Sequence, residues 1–287
     1  MTMQSSAEHR AIAAIGQRLG PDVLTAVQAL FRAEQDALAA VRPATASDLR
    51  YGVDPRQTLD LYVPSGAEGA TVLLWVHGGG FVRGEKASPD HPFNAHVGRW
   101  AARSGMVGAV MNYRLAPDHG WPAGGEDVGA AIAWLVAHVA EHGGDPARIV
   151  VMGTSAGAVH VATHLRLRPD GGGMAAAVLL SGLYGFTPLD TRDTLYYGDA
   201  ADYPERRPRE AVVGTTMPLF VACAEHDPAR FQTETVQLLA ARLALHGTLT
   251  RSYIAGGHNH FSLACHIGGS DTRLTDEVLG FIADTIR

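Results

Sequence analysis

The 287 residues, 46% of them hydrophobic, suffice to bury one substantial core, and a single α/β domain of this length is ordinary. A formal net charge of -6 without a dense Lys/Arg cluster argues against a nucleic-acid partner. Two cysteines, Cys223 and Cys265, make neither a disulfide framework nor a Cys-x-x-Cys pair, and the 14 histidines show no His-Glu-x-x-His spacing, so no metal and no cofactor is expected.

The start of the chain lacks a basic stretch followed by a continuous apolar one, and no later run is long and apolar enough to span a bilayer. A cytoplasmic protein without a membrane partner is expected. Ile12, Ile15, Leu19, Val23, Val27, Leu30, Phe31 and Leu38 then recur at helical spacing, interrupted by Gly20-Pro21, which predicts two amphipathic helices. They make up an N-terminal helical segment, residues 1–45, that either packs on the catalytic domain (46–287) or roofs it as a cap.

After Pro43 the pattern changes to strands, predicted at 59–63, 71–76, 106–111, 148–152, 174–180, 218–222 and 248–254. Helices are predicted between and after them, at 125–142, 156–168, 231–246 and 275–286. Such alternation implies an α/β fold with a mostly parallel sheet covered by helices on both faces, and ligands beyond the carboxyl ends of its strands. Residues 184–216 break the rhythm, being rich in Asp, Arg, Tyr and Pro without a long apolar stretch. A loop of that length either covers and shapes a site, as a lid or substrate wall, or runs over the surface.

Two glycine-dense turns follow predicted strands. In the first, Gly153-Thr154-Ser155-Ala156-Gly157 joins a strand to a helix, the context in which Gly-x-Ser-x-Gly lifts a serine nucleophile above the sheet. In the second, His77-Gly78-Gly79-Gly80 lets backbone N–H groups face a ligand without Cβ crowding. Gly79, Gly80 and Ala156 are the expected oxyanion-hole donors, with His77 ordering the loop.

A serine hydroxyl needs a base and an orienting acid, in chain order serine, acid, histidine. Asp227 lies just past the strand ending in Ala222-Cys223-Ala224, with Glu225 as second candidate. For the base, His258 and His260 compete in Gly256-Gly257-His258-Asn259-His260-Phe261-Ser262. His138, His142, His160 and His164 fall on predicted helices away from strand ends and read as structural or solvated.

From Tyr51 onward these residues resemble the α/β-hydrolase superfamily, in particular its HGGG carboxylesterases, which include hormone-sensitive-lipase-like, feruloyl-esterase-like and kynurenine-formamidase-like enzymes. Leu59-Asp60-Leu61-Tyr62-Val63-Pro64 is similar to the family's first strand, and Asn112-Tyr113-Arg114-Leu115-Ala116-Pro117 to the segment after its fourth. The resemblance implies an α/β-hydrolase fold with an eight-stranded-type sheet, His260 as the base because an aromatic residue follows it, and a structural role for Glu126-Asp127. Glu225-His226-Asp227-Pro228 and Asn259-His260-Phe261-Ser262 look closer to the formamidase-like branch, whereas Gly80-Phe81 departs from that branch's His-Gly-Gly-x-Trp.

The expected function is therefore a carboxylesterase cleaving small esters through an acyl-enzyme on Ser155, with His260 and Asp227 completing the triad. An arylformamidase or other amidase uses the same residues, and a non-catalytic ligand receptor is the alternative of a different class. The expected partner is a small-molecule ester or amide, and a homodimer is compatible with the sequence.

Overall fold

A computed structural model describes residues 6–286 of the chain, so the ends of the segment expected at 1–45 and of the domain expected at 46–287, residues 1–5 and 287, lie outside the described residues. Two helices come first, α1 (Ser6–Ile15) and α2 (Pro21–Val41). They break at Gly20-Pro21, where proline opens the second helix at a position whose N–H has no intrahelical acceptor.

Strands β1 (Ala46–Arg50), β2 (Thr58–Tyr62) and β3 (Ala70–Val76) follow, then α3 (Ala95–Arg103), β4 (Val107–Met111), α4 (Ala123–His138), β5 (Gly144–Thr154), α5 (Ala156–Leu167) and β6 (Met174–Leu180). Three short helices, α6 (Thr194–Tyr197), α7 (Tyr203–Arg206) and α8 (Arg209–Gly214), precede β7 (Leu219–His226), α9 (Ala229–His246), β8 (Arg251–Asn259), α10 (Ser262–Cys265) and α11 (Arg273–Thr285). The eight strands form one sheet in the order β1-β2-β4-β3-β5-β6-β7-β8. β2 runs antiparallel to both neighbours, and β4 through β8 are parallel. The α/β architecture is the one that the alternation predicts.

Period-2 alternation divides the core in two. Val72, Leu74 and Val76 of β3 face a layer with Val128, Ile132 and Leu135 of α4 and Val161 and Leu165 of α5. Leu73 and Trp75 face the opposite layer, with Val97 and Trp100 of α3 and Val278 and Phe281 of α11. Each fully buried Leu, Val or Phe side chain contributes about 1.5–3 kcal/mol, and the covered sheet is the main source of stability.

Besides the short helices α6–α8 and α10, strand β1 and helix α3 escape the sequence patterns. β1 is a short edge strand with little apolar alternation, and α3 carries Gly98, a residue of low helix propensity, at its centre. The reason is tertiary: a Cβ on Gly108 of β4 would lie 2.4 Å from the Gly98 carbonyl oxygen, so this helix and strand touch backbone to backbone. No helix among the described residues is long and apolar enough to cross a membrane.

Residues 184–216, expected as a loop, hold the three short helices and bury Tyr196, Tyr197 and Tyr203. Their root is tied to α9 by the fully buried Glu234. One carboxylate oxygen accepts the N–H groups of Tyr184 (2.8 Å), Gly185 (3.1 Å) and Phe186 (3.2 Å); the other accepts Thr187 N–H (2.7 Å) and its hydroxyl (2.5 Å). Removing this acceptor strands several buried donors, at about 1–3 kcal/mol each. Glu234→Ala is therefore expected to lower the unfolding free energy by more than about 3 kcal/mol in urea titrations, well beyond an ordinary helix substitution.

Candidate active site

Sheet register brings four strand ends together. Val76 of β3 pairs with Gly153 of β5, Thr154 of β5 with Leu180 of β6, and Leu180 with Ala222 of β7. The next residues continue the alignment, with Ser155 N–H donating to Leu180 O and Ser181 N–H to Ala222 O, both at 2.8 Å.

Ser155 turns the chain from β5 into α5 at φ 52° and ψ -121°, a conformation that side chains rarely adopt. The residues two before and two after it must be glycine: a Cβ on Gly157 would lie 2.1 Å from Val76 O, and one on Gly153 2.6 Å from the Gly157 backbone. The turn thus presses against the end of β3 and leaves Ser155 half-buried at the rim. Ala156, next in the chain, opens α5 with an N–H that has no intrahelical acceptor, at the helix's positive end.

The glycine run after β3 adopts positive φ at Gly79 (138°), Gly80 (60°) and Phe81 (70°). A Cβ on Gly79 would lie 1.8 Å from Arg83 O, whereas one on Gly80 would point into open space. The loop is held from behind. His77 Nδ1–H donates to Gly78 O (2.6 Å), Tyr113 OH donates to His77 O (2.9 Å) with its ring stacked 4.3 Å from the imidazole, and Arg56 donates to Gly84 O (2.7 Å). His77 therefore orders the loop.

His260 and Asp227 join the serine in one hydrogen-bonded line. His260 Nε2 lies 3.0 Å from Ser155 Oγ, and its Nδ1 lies 2.7 Å from Asp227 Oδ1. Asp227 Oδ2 accepts the Ala224 N–H (2.7 Å) and the Ser181 hydroxyl (2.5 Å). The carboxylate is fully buried, and Phe231 of α9 lies against the His260 ring at 4.3 Å.

The competing candidates have other work. Glu225 accepts Gly257 N–H at 2.7 Å, bracing the end of β8, and His258 bonds to Ser262 and Asp271. Asp127, next to Glu126, is structural: it accepts Gln57 Nε2 (2.7 Å), Arg114 N–H (2.7 Å) and Arg114 Nε (2.9 Å). His164 bonds Gly171 O, His138 and His142 lie against Trp134, and His160 is buried among Phe81, Tyr113 and Tyr196. Among the described residues, no group of three His, Cys, Asp or Glu side chains could hold a metal ion.

Two flanking segments reach the site. Phe81 stacks on Tyr196 at 4.4 Å and packs with Tyr197, Ala156 and Val159, so residues 184–216 form the wall behind the glycine loop. On the other side, Phe261 joins Ile12, Val23, Val27 and Phe31 of α1 and α2, while His9 occupies the space next to Gly257. The N-terminal helices thereby pack over the segment that carries His260. Ser181 was not foreseen, although a serine directly after the 174–180 strand carries the same strand-end signal as Ser155. Glu234 had no such signal, because its partners lie 47–50 residues away in the chain.

Comparison with known proteins agrees with this architecture. The BD-FAE family model matches residues 59–169. The probable carboxylic ester hydrolase LipM of Mycobacterium tuberculosis is 31% identical over 210 residues, 64% of this chain and 48% of that protein. The carboxylesterase NlhH of the same organism is 32% identical over 185 residues, 55% of this chain and 57% of that one. A hyperthermophilic esterase from the archaeon Pyrobaculum calidifontis superposes over 100% of both chains with a TM-score of 0.71 at 21% identity. The chain has the α/β-hydrolase fold. Its match spans about half the length of the curated relatives, and the shared fold with the archaeal protein covers every strand that carries a site residue.

Several histidines of the chain are buried neutral. Burial pushes His77 and His96 from 6.5 down to about 4, and His160 down to about 3. Below pH 6.5 the unfolded chain binds protons that these rings refuse, so stability falls as pH falls through the window from 6.5 to about 4. Melting temperatures are expected to drop steeply between those values, with a linkage on the order of 3 kcal/mol per ring. His96→Gln, which can still donate to Ala264 O, should flatten the profile measured by thermal melts across pH.

Proposed function

We propose that the chain is a carboxylic ester hydrolase acting through an acyl-enzyme on Ser155. The observation that carries this reading is the unbroken line Asp227, His260, Ser155 beside the positive-φ glycines of the 77–81 loop. His260 Nε2 takes the proton as Ser155 Oγ attacks the ester carbonyl, and the oxyanion is received by the N–H groups of Gly79, Gly80 and Ala156, each worth roughly 10²–10³ in rate. The imidazolium, steadied by Asp227 through Nδ1–H, then protonates the departing alcohol. Water attacks the acyl group by the same route in reverse roles and frees the acid. The names of LipM and NlhH, both ester hydrolases, support esters over formamides as substrates.

Ser155→Ala is expected to lower kcat for p-nitrophenyl acetate roughly 10⁴-fold or more and to abolish labelling by a fluorophosphonate probe. Retention of near-normal turnover would reject the scheme. A kcat/KM for N-formylkynurenine above that for phenyl acetate would instead assign amide hydrolysis.

For the assembly we infer a homodimer through β8, an edge strand of the sheet on which Ile254 is 68% exposed. Light scattering is expected to give about twice the 30.3 kDa chain mass, and Ile254→Lys to shift it toward the monomer.

A further inference from the structure

Behind the catalytic line lies a second run of the same three residue types, which substrate cannot reach. Asp271, His258 and Ser262 are each at most 2% exposed. His258 Nε2 lies 3.2 Å from Asp271 Oδ2, and its Nδ1 lies 3.1 Å from Ser262 Oγ. Ser262 Oγ in turn accepts Asn259 N–H at 2.8 Å, while Asn259 Oδ1 accepts Ser262 N–H at 3.0 Å. This reciprocal pair encloses His260 and Phe261 as a capping box encloses the first turn of a helix.

We propose that Asp271, His258 and Ser262 are positioning residues, a directional hydrogen-bond chain that fixes the backbone from which His260 projects. Chemistry sets the direction. Burial pushes the Asp271 carboxyl up, but the bonds from Arg273 and His258 outweigh it and hold it well below the usual carboxylate range, so it is ionised and only accepts. Burial likewise lowers His258 despite Asp271, leaving a neutral ring that donates from Nε2 and accepts at Nδ1. The Ser262 hydroxyl proton then goes to His258 Nδ1 rather than to Asn259 O at 3.3 Å. Its lone pair is left aimed at Asn259 N–H, one residue before the base. Arg273 extends the brace to Gly256 O (3.0 Å) and to His9 Nε2 of α1 (3.2 Å), and His266 stacks on His258 at 3.9 Å.

The inference rests on the esterase reading for its kinetic consequence, and the test separates the two. Ser262→Ala and His258→Phe are each expected to lower kcat for p-nitrophenyl acetate about tenfold with KM within about twofold, since sub-ångström misplacement of a base acts on the chemical step. Members of one chain are not additive, so the double variant should fall no further than the worse single. Unchanged kcat in Ser262→Ala, or losses that multiply in the double variant, would overturn the proposal. A readout on the resting wild-type protein covers variants that fail to fold: long-range ¹H–¹⁵N spectra should show His258 as the Nε2–H tautomer, assigned by through-bond correlation of the ring to its own backbone. The Nδ1–H tautomer would overturn the chain whatever the kinetics. An inactive wild-type protein that fails to react with fluorophosphonate would count against the esterase reading alone, because the tautomer is read without turnover.

Discussion

The contact between the Ser155 turn and the end of β3 is the constraint from which the site follows. A β-strand can pass into a helix at that angle only if one residue accepts a positive φ and the residues two before and two after it have no side chain, because Gly157 lies against the Val76 carbonyl and Gly153 against Gly157. The strain at Ser155, on the order of 1–3 kcal/mol, persists because the buried parallel core on both sheet faces over-determines the turn. It leaves the hydroxyl at the rim, next to the first amides of α5 and within reach of the glycine loop, whose Gly78 would put a Cβ 3.3 Å from Ser155 Cβ.

A second regularity is the treatment of buried carboxylates. Asp127, Asp227, Glu234 and Asp271 are each nearly or fully inaccessible, and each collects at least three hydrogen bonds from amides, hydroxyls, imidazoles or guanidinium groups. Ionised groups in a low-dielectric interior are tolerable only when their acceptor capacity is filled. Filled in this way, they act as rivets between segments remote in sequence. Asp127 ties the 112–114 segment to α4, Asp227 ties β6 and β7 to the loop that carries His260, and Glu234 ties the root of the aromatic wall to α9. The rigidity of the site arises from these nodes as much as from the apolar core.

What could be read from the chain alone follows from short-range physics. The glycines of Gly-x-Ser-x-Gly declare close backbone approach and those of the His77 run positive φ, so Ser155, Gly79, Gly80 and Ala156 were legible where they stand. Period-2 and period-3.6 patterns marked most strands and helices, because half-covered surfaces impose them. α3 and β1 were missed since their existence depends on a close backbone approach and on pairing with β2, neither of which leaves a local pattern.

The amino-acid order by itself determined the α/β alternation, the Ser155 turn and the candidates for acid and base, all set by residues within a few positions of one another. Only tertiary structure set His260, and not His258, between Ser155 and a carboxylate, since both occupy one loop and differ in which buried carboxylate meets them: Asp271 from just before α11 or Asp227 from just after β7. It likewise decided that Glu234 and Ser181 matter and that residues 184–216 back the glycine loop, because a hydrogen bond or ring contact across dozens of residues depends on sheet register and helix packing, which no local pattern encodes.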